Sequence, residues 1–243
     1  DTTTTRVHIA EIVEIYPIKS NFWMRSSGSF SLGLNFSKGS DITTLPLSGN
    51  MDYRITKSYF DLSFDNNSTF QGDSLSSSKA DITFMYQQYL KMKWSNIVSV
   101  GASQNLELGT RLRLELYDVI INDIVYNDWN RFYTGAGLGV TSETPYDDSG
   151  IKQDMVGLVT VVWKVFKYSK PKLWINSNIN FVPYFTNIKR IRTVFNLNPK
   201  ISIINDDFKV GFKFYFNFDN QPQTEAAAKT DYGINLQFTY SFH

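Results

Sequence analysis

The chain has 243 residues, a net charge of +1, 16% aromatic residues and 19% charged residues. So small a net charge argues against a strongly basic nucleic-acid-binding surface or a site for acidic macromolecules. Because cysteine is absent, a disulfide framework and thiolate metal sites are excluded. The chain has no run of about 18 apolar residues, which is the length that a transmembrane helix needs. The opening DTTTT looks like a mature N-terminus, so we expect a signal peptide in the precursor.

Apolar and polar residues alternate along most of the chain, which is typical of strands with one apolar face. The pattern predicts twelve strands, at about residues 24–37, 43–56, 58–70, 80–91, 93–105, 109–121, 131–143, 153–167, 172–185, 188–204, 207–219 and 230–242. Segment 6–20 could add a strand. We favour an N-terminal extension over 1–20 and a barrel domain over 21–243, because single-chain bacterial barrels usually have even strand numbers.

The predicted connections fall into tight turns and long polar loops. The tight ones are at 54–59, 90–94, 168–172 and 205–208, and the long ones are at 71–79, 142–150 and 219–230. If the first strand starts in the periplasm, the long loops all lie on the outer side, as in outer-membrane barrels. Segment 122–130 is an exception, since it predicts a long connection on the side of the tight turns.

Three features indicate that the apolar faces of the strands point outward. One face is rich in Phe and Leu, and twelve strands enclose more space than such side chains fill. The opposite face carries small uncharged groups where a soluble surface would carry Lys and Glu. Trp and Tyr fall near strand ends, as in the aromatic girdles of membrane barrels. The sequence therefore predicts an all-β fold, a transmembrane antiparallel up-and-down barrel in a Gram-negative outer membrane. A soluble sandwich or lipocalin-like barrel is the alternative.

The last strand, TDYGINLQFTYSFH, resembles the C-terminal closing strand of outer-membrane barrels. Phe242 matches the terminal aromatic residue of that strand, and Tyr240 and Phe238 keep its alternation. His243 departs from the pattern by one residue. The resemblance implies that these aromatic residues form a signal for the barrel assembly machinery. It also implies contact with outer-membrane lipid and lipopolysaccharide.

Two further stretches, residues 29–55 and 130–143, resemble the bacterial salt-induced outer-membrane protein family, whose function is unknown. The first forms an alternating hairpin whose turn reads Lys38-Gly39-Ser40-Asp41, where the family has a Gly-Asn-Thr-like turn. The second carries glycines on one face, at 135, 137 and 139. The resemblance covers about residues 20–243 and implies an outer-membrane barrel without an established activity.

The chain offers little for catalysis. The histidines, His8 and His243, are too remote in the chain to form a triad with a strand serine. No metal-ligand spacing is present, so we expect no enzyme, no metal and no cofactor. A lipid-modifying enzyme that depends on His8 is the remaining alternative. The stretch GAGLG (135–139) lies inside a strand pattern and lacks the Lys of a phosphate-binding loop. Its glycines are better explained by crowding on the inner wall.

Charged residues fall on the predicted inner face, where they avoid the few kcal/mol that a charge costs on the lipid face. The predicted lumen residues are basic Arg54, Arg111, Arg113, Arg131, Lys164, Arg190, Arg192, Lys200, Lys209 and Lys213, and acidic Asp52, Asp61, Asp65, Glu115 and Glu143. In one interpretation the opposite charges pair across strands and, with Tyr117 and Tyr215, plug the interior. In the other, basic residues from 190 to 213 form a wall that favours anionic solutes.

We therefore expect a narrow passive channel for small, anionic solutes, because basic residues outnumber acidic ones on the predicted inner face. The alternative is a closed barrel that acts as a structural or accessory subunit of an envelope complex. Segment 6–20 would then contact an envelope protein partner. No nucleic-acid partner is expected.

Overall fold

The structure, a computed structural model, describes residues 25–37, 42–72, 74–147, 150–167, 169–203, 207–222 and 227–242. These ranges contain β-strands and turns but no α-helix. Within them, no helix is long and apolar enough to cross a membrane.

The strands are β1 (Ser26–Leu32), β2 (Asn35–Ser37), β3 (Ile42–Ile55), β4 (Ser58–Gln71), β5 (Ser74–Tyr89), β6 (Trp94–Asn105), β7 (Thr110–Tyr126), β8 (Asn130–Pro145), β9 (Lys152–Lys167), β10 (Leu173–Pro183), β11 (Ile191–Ser202), β12 (Phe208–Asp219) and β13 (Thr230–Phe242). β1 and β2 both pair with β3 and are separated by Gly33 and Leu34, so they are two parts of one crossing strand. The predicted number of twelve strands is therefore confirmed.

With β1 and β2 counted as one, each crossing strand pairs antiparallel with the next, and β13 returns to β1 to close the sheet into a barrel. This closing seam runs from the pair Gly28–Phe242 to the pair Leu32–Phe238. Beyond the pair Leu32–Phe238, residues 230–237 of β13 pair with β12 alone within the described ranges. Closure satisfies the backbone groups that an open sheet would leave at its edges.

The barrel is apolar outside and polar inside. Phe212 and Leu114 on the outer face are 55% and 48% exposed, whereas Gln237 and Ser95 on the inner face are 1% exposed. A soluble sandwich would bury the Phe and Leu face instead. The predicted transmembrane antiparallel barrel is thus confirmed, and the soluble alternative is excluded.

A small apolar cluster inside the barrel explains the glycines of β8. Val119 and Ile121 of β7 are buried in this cluster. A Cβ atom on Gly137 would lie 2.6 Å from the Cα atom of Val119, and one on Gly135 would lie 2.5 Å from Ile121. Side chains at these positions would therefore push β8 away from β7.

The predictions of long loops at 122–130 and 71–79 were wrong. β7 extends to Tyr126, so the connection within segment 122–130 is only 127–129. The Ser-rich segment 71–79 mostly belongs to β5, which begins at Ser74 and pairs with the end of β4. In both places pairing with a neighbouring strand outweighs weak intrinsic strand propensity.

Candidate functional site

The lumen contains a cavity of about 660 Å³ whose walls are mostly uncharged and polar. One wall presents amides from β10 and β11, namely Asn176, Asn178, Asn180, Asn196 and Asn198. The other presents hydroxyl groups from β1 to β6, including Ser29, Ser31, Ser48, Ser63, Thr83 and Ser99. Strand alternation places all of these groups inside, because their neighbours in sequence point toward the outer face.

A buried ion-pair network fills one side of the upper lumen, which is the end of the barrel where β10 ends and β13 begins. At its centre Glu143 is 0% exposed. It accepts a hydrogen bond from Arg113 Nε at 2.6 Å and another from the Tyr184 hydroxyl at 2.9 Å. Arg190 Nη1 lies 2.9 Å from its second oxygen, and Arg190 also donates to both oxygens of Asp219, at 3.1 and 2.6 Å. Each charge is therefore compensated at short range.

Contacts between distant strands cross the lumen next to this network. Arg192 of β11 pairs with Glu115 of β7 and donates to the Tyr117 hydroxyl at 3.3 Å. Lys213 of β12 pairs with Asp65 of β4. In both cases the two strands are four places apart in the barrel, so the side chains bridge the interior.

Neutral groups add further bridges. The Asn67 amide of β4 donates to the Tyr215 hydroxyl of β12 at 3.1 Å and accepts from Asn235 of β13 at 3.3 Å. Asn105 of β6 donates to Asp231 of β13 at 2.7 Å. The upper lumen is consequently narrow and held by polar contacts from opposite walls.

The lower lumen is charged but less tightly paired. Arg131 donates to Asp123 at 2.7 Å, and Lys209 donates to Ser241 at 2.7 Å. Lys164 and Lys200 line the cavity and form no ion pair with any described carboxylate. These two lysines are the basic groups of the cavity wall with the most freedom to meet a solute.

Most of the predicted lumen residues face the interior: Arg113, Arg131, Arg190, Arg192, Lys200, Lys209, Lys213, Asp52, Asp61, Asp65 and Glu115. Arg111 does not line the cavity. It is exposed at a bulge where the β7–β8 pairing shifts between Thr110 and Leu112. The extra residue breaks the period of two, and the prediction for Arg111 is corrected accordingly.

The sequence-based selection missed several inward carboxylates: Asp81, Asp123, Asp154, Asp219 and Asp231. Asp81 and Asp219 are in phase with the inner face, and this signal could have identified them. With these groups included, acidic residues on the described inner face are about as frequent as basic ones. The expected excess of basic residues is therefore absent.

The aromatic residues of the closing strand lie on the outer face. Phe238, Tyr240 and Phe242 are 57%, 47% and 44% exposed, and all three positions pair with β1. Their role as an assembly signal stays a prediction. His8, His243 and segment 6–20 lie outside the described residues. Over the ranges that are described, no group of His, Asp and Glu side chains could hold a metal ion.

One carboxylate departs from the apolar exterior. Asp118 points outward from the middle of β7, is exposed, and accepts a hydrogen bond from Asn96 at 2.5 Å. Its paired neighbours are Val98 and Leu138. Asp118 is thus a polar site in the centre of the apolar belt.

Comparison with known proteins supports the fold. No protein-family model matches the chain, and no curated protein matches it, so the family resemblance stays a prediction. Among solved structures, the chain is similar to a NanC porin, with a TM-score of 0.51 and 8% identity over 88% of this chain and 99% of that one. It also aligns with the translocator domain of autotransporter NalP from Neisseria meningitidis, with a TM-score of 0.45 and 8% identity over 90% and 86% of the two chains. The first likeness shows a shared transmembrane-barrel fold.

Proposed function

We propose that this protein is an integral outer-membrane β-barrel of a Gram-negative cell and a narrow passive channel for small polar solutes. The proposal rests on one observation, a polar cavity enclosed by a barrel with an apolar exterior. The apolar belt matches hydrocarbon, and the amide and hydroxyl walls can replace the hydration shell of a solute.

The proposed channel prefers anions only weakly. Arg113, Arg190, Arg192 and Lys213 are neutralised by carboxylates at short range. The preference comes from Lys164 and Lys200, which lack such partners among the described residues and line the cavity.

Planar-bilayer recordings test the channel. We expect small discrete conductance steps and a reversal potential that indicates weak anion preference. Lys164→Gln combined with Lys200→Gln should abolish that preference, whereas Lys57→Gln, in an exposed turn between β3 and β4, should not. A silent wild-type protein, or clear cation preference, would contradict the proposal.

The second candidate is a closed barrel that acts as a structural or accessory subunit of an envelope complex. The bridges that Lys213 and Arg192 form across the lumen favour it. Purification in mild detergent should then yield a stoichiometric envelope partner. In bilayers, the wild-type protein would be silent, while Lys213→Ala combined with Asp65→Ala would conduct.

A further inference from the structure

The cavity wall formed by β9, β10 and β11 carries an organised basic patch. Lys164, Asn176 and Asn198 are register partners in one continuous row across the three strands. Lys200 lies two residues from Asn198, opposite Trp174. Asn198 Oδ1 is buried and has no hydrogen-bond partner. The patch therefore presents two ammonium groups to the cavity.

A carboxylate faces this patch from the other side of the barrel. Asp61 of β4 lines the same cavity as Lys164 and Lys200, and β4 lies five strands from β9. Asp61 forms no ion pair with a described residue, and its hydrogen bonds come from Ser63 and Asn50. Its register partner on β3 is Asp52, so this wall carries a second inward carboxylate.

Opposite charges that face each other without contact create an electric field across the cavity. A solute with one charge is attracted by one wall and repelled by the other. A solute with both charges is attracted by both walls, and the interaction is strong because the narrow lumen screens charges less than bulk water does. The uncharged amides and hydroxyls between the walls hydrogen-bond the rest of the solute.

We propose that the lower lumen binds small zwitterions of the amino-acid type. The carboxylate of the solute lies against Lys164 and Lys200, and the ammonium group of the solute lies against Asp61. This inference rests on the proposed channel function and names its preferred class of solute.

Uptake of labelled solutes into proteoliposomes tests the inference. The probes are 4-aminobutyrate, butyrate and butylammonium, which share a four-carbon skeleton and differ in charge. The wild-type barrel should admit 4-aminobutyrate about three- to tenfold faster than either singly charged solute, a ratio of tenfold corresponding to about 1.4 kcal/mol.

Three sets of variants assign the preference to the two walls. Asp61→Asn should remove it and leave butyrate fastest. Lys164→Gln combined with Lys200→Gln should leave butylammonium fastest. The matched control is Lys79→Gln with Asp81→Asn, which removes an existing luminal ion pair without changing net charge. It should keep the wild-type ranking.

Equal uptake of the three probes by the wild-type barrel, or an unchanged ranking in Asp61→Asn, would overturn the inference. If no probe is taken up, the proposed channel function is refuted. The proposed binding site is then tested separately, by measuring whether 4-aminobutyrate binds to the protein. Saturation-transfer NMR on the detergent-solubilised protein should then show 4-aminobutyrate contacts that Asp61→Asn removes. Contacts that survive this substitution would refute the site. Heat-modified mobility in gel electrophoresis checks that each variant is folded.

Discussion

Glu143→Ala should strongly destabilise the barrel, because it leaves buried cations without their counter-charge. The carboxylate is fully buried and is contacted by Arg113, Arg190 and Tyr184 at 2.6 to 2.9 Å. Removing one partner of a buried ion pair costs about 3–5 kcal/mol. The effects of the three contacts do not add, because Asp219 still compensates Arg190.

We therefore expect the free energy of unfolding to fall by about 3–5 kcal/mol, which changes the unfolding equilibrium by roughly two to four powers of ten. Reversible urea unfolding in lipid vesicles, followed by tryptophan fluorescence, measures the change. The slope of the free energy against urea should stay constant, since the folded barrel is the same. Glu143→Gln keeps the side-chain shape and should give a smaller loss.

Asp154→Ala is the matched control. Its carboxylate also approaches Arg190, but at 3.9 Å and with partial exposure, so its removal should cost less than about 1 kcal/mol. If Glu143→Ala were as mild as Asp154→Ala, water would reach the network, and the reasoning from a buried ion-pair cluster would be refuted.

Three further substitutions test other parts of the barrel. Gly137→Ala should lower the free energy of unfolding by about 1–3 kcal/mol, because its Cβ would lie 2.1 Å from a backbone oxygen of β7, whereas Gly101→Ala, with its nearest atom at 3.5 Å, should be neutral. Equal urea midpoints for these two variants would contradict the crowding argument. Asp118→Leu should stabilise the barrel in vesicles by about 1 kcal/mol, since it removes a carboxylate from the apolar belt. A lower urea midpoint would show that the hydrogen bond from Asn96 outweighs the cost of the carboxylate in the apolar belt. Phe242→Ala should reduce the folded fraction recovered from outer membranes, as heat-modified mobility reports. Wild-type recovery would exclude an assembly signal at this residue.

The alternation in the sequence predicted the twelve strands and the face on which most side chains lie, because a period of two determines both together. It could not predict which charges meet inside. Lys213 and Asp65 are 148 residues apart and lie on strands that are not neighbours, so their contact depends on the closed barrel. The position of Arg111 also escaped prediction, since a single bulged residue leaves no trace in composition.

The seam between the first and last strands has a mechanical consequence. Pairing with β1 ends at Phe238, although β13 continues upward to Thr230 beside β12. Gly33 directly follows Leu32, the last residue of β1 that pairs with β13. Its amide donates to the carbonyl oxygen of Pro46 in β3 at 2.9 Å and is therefore directed away from β13. The first and last strands are therefore paired along only the lower part of the seam. We expect thermal motion to separate the barrel wall there first.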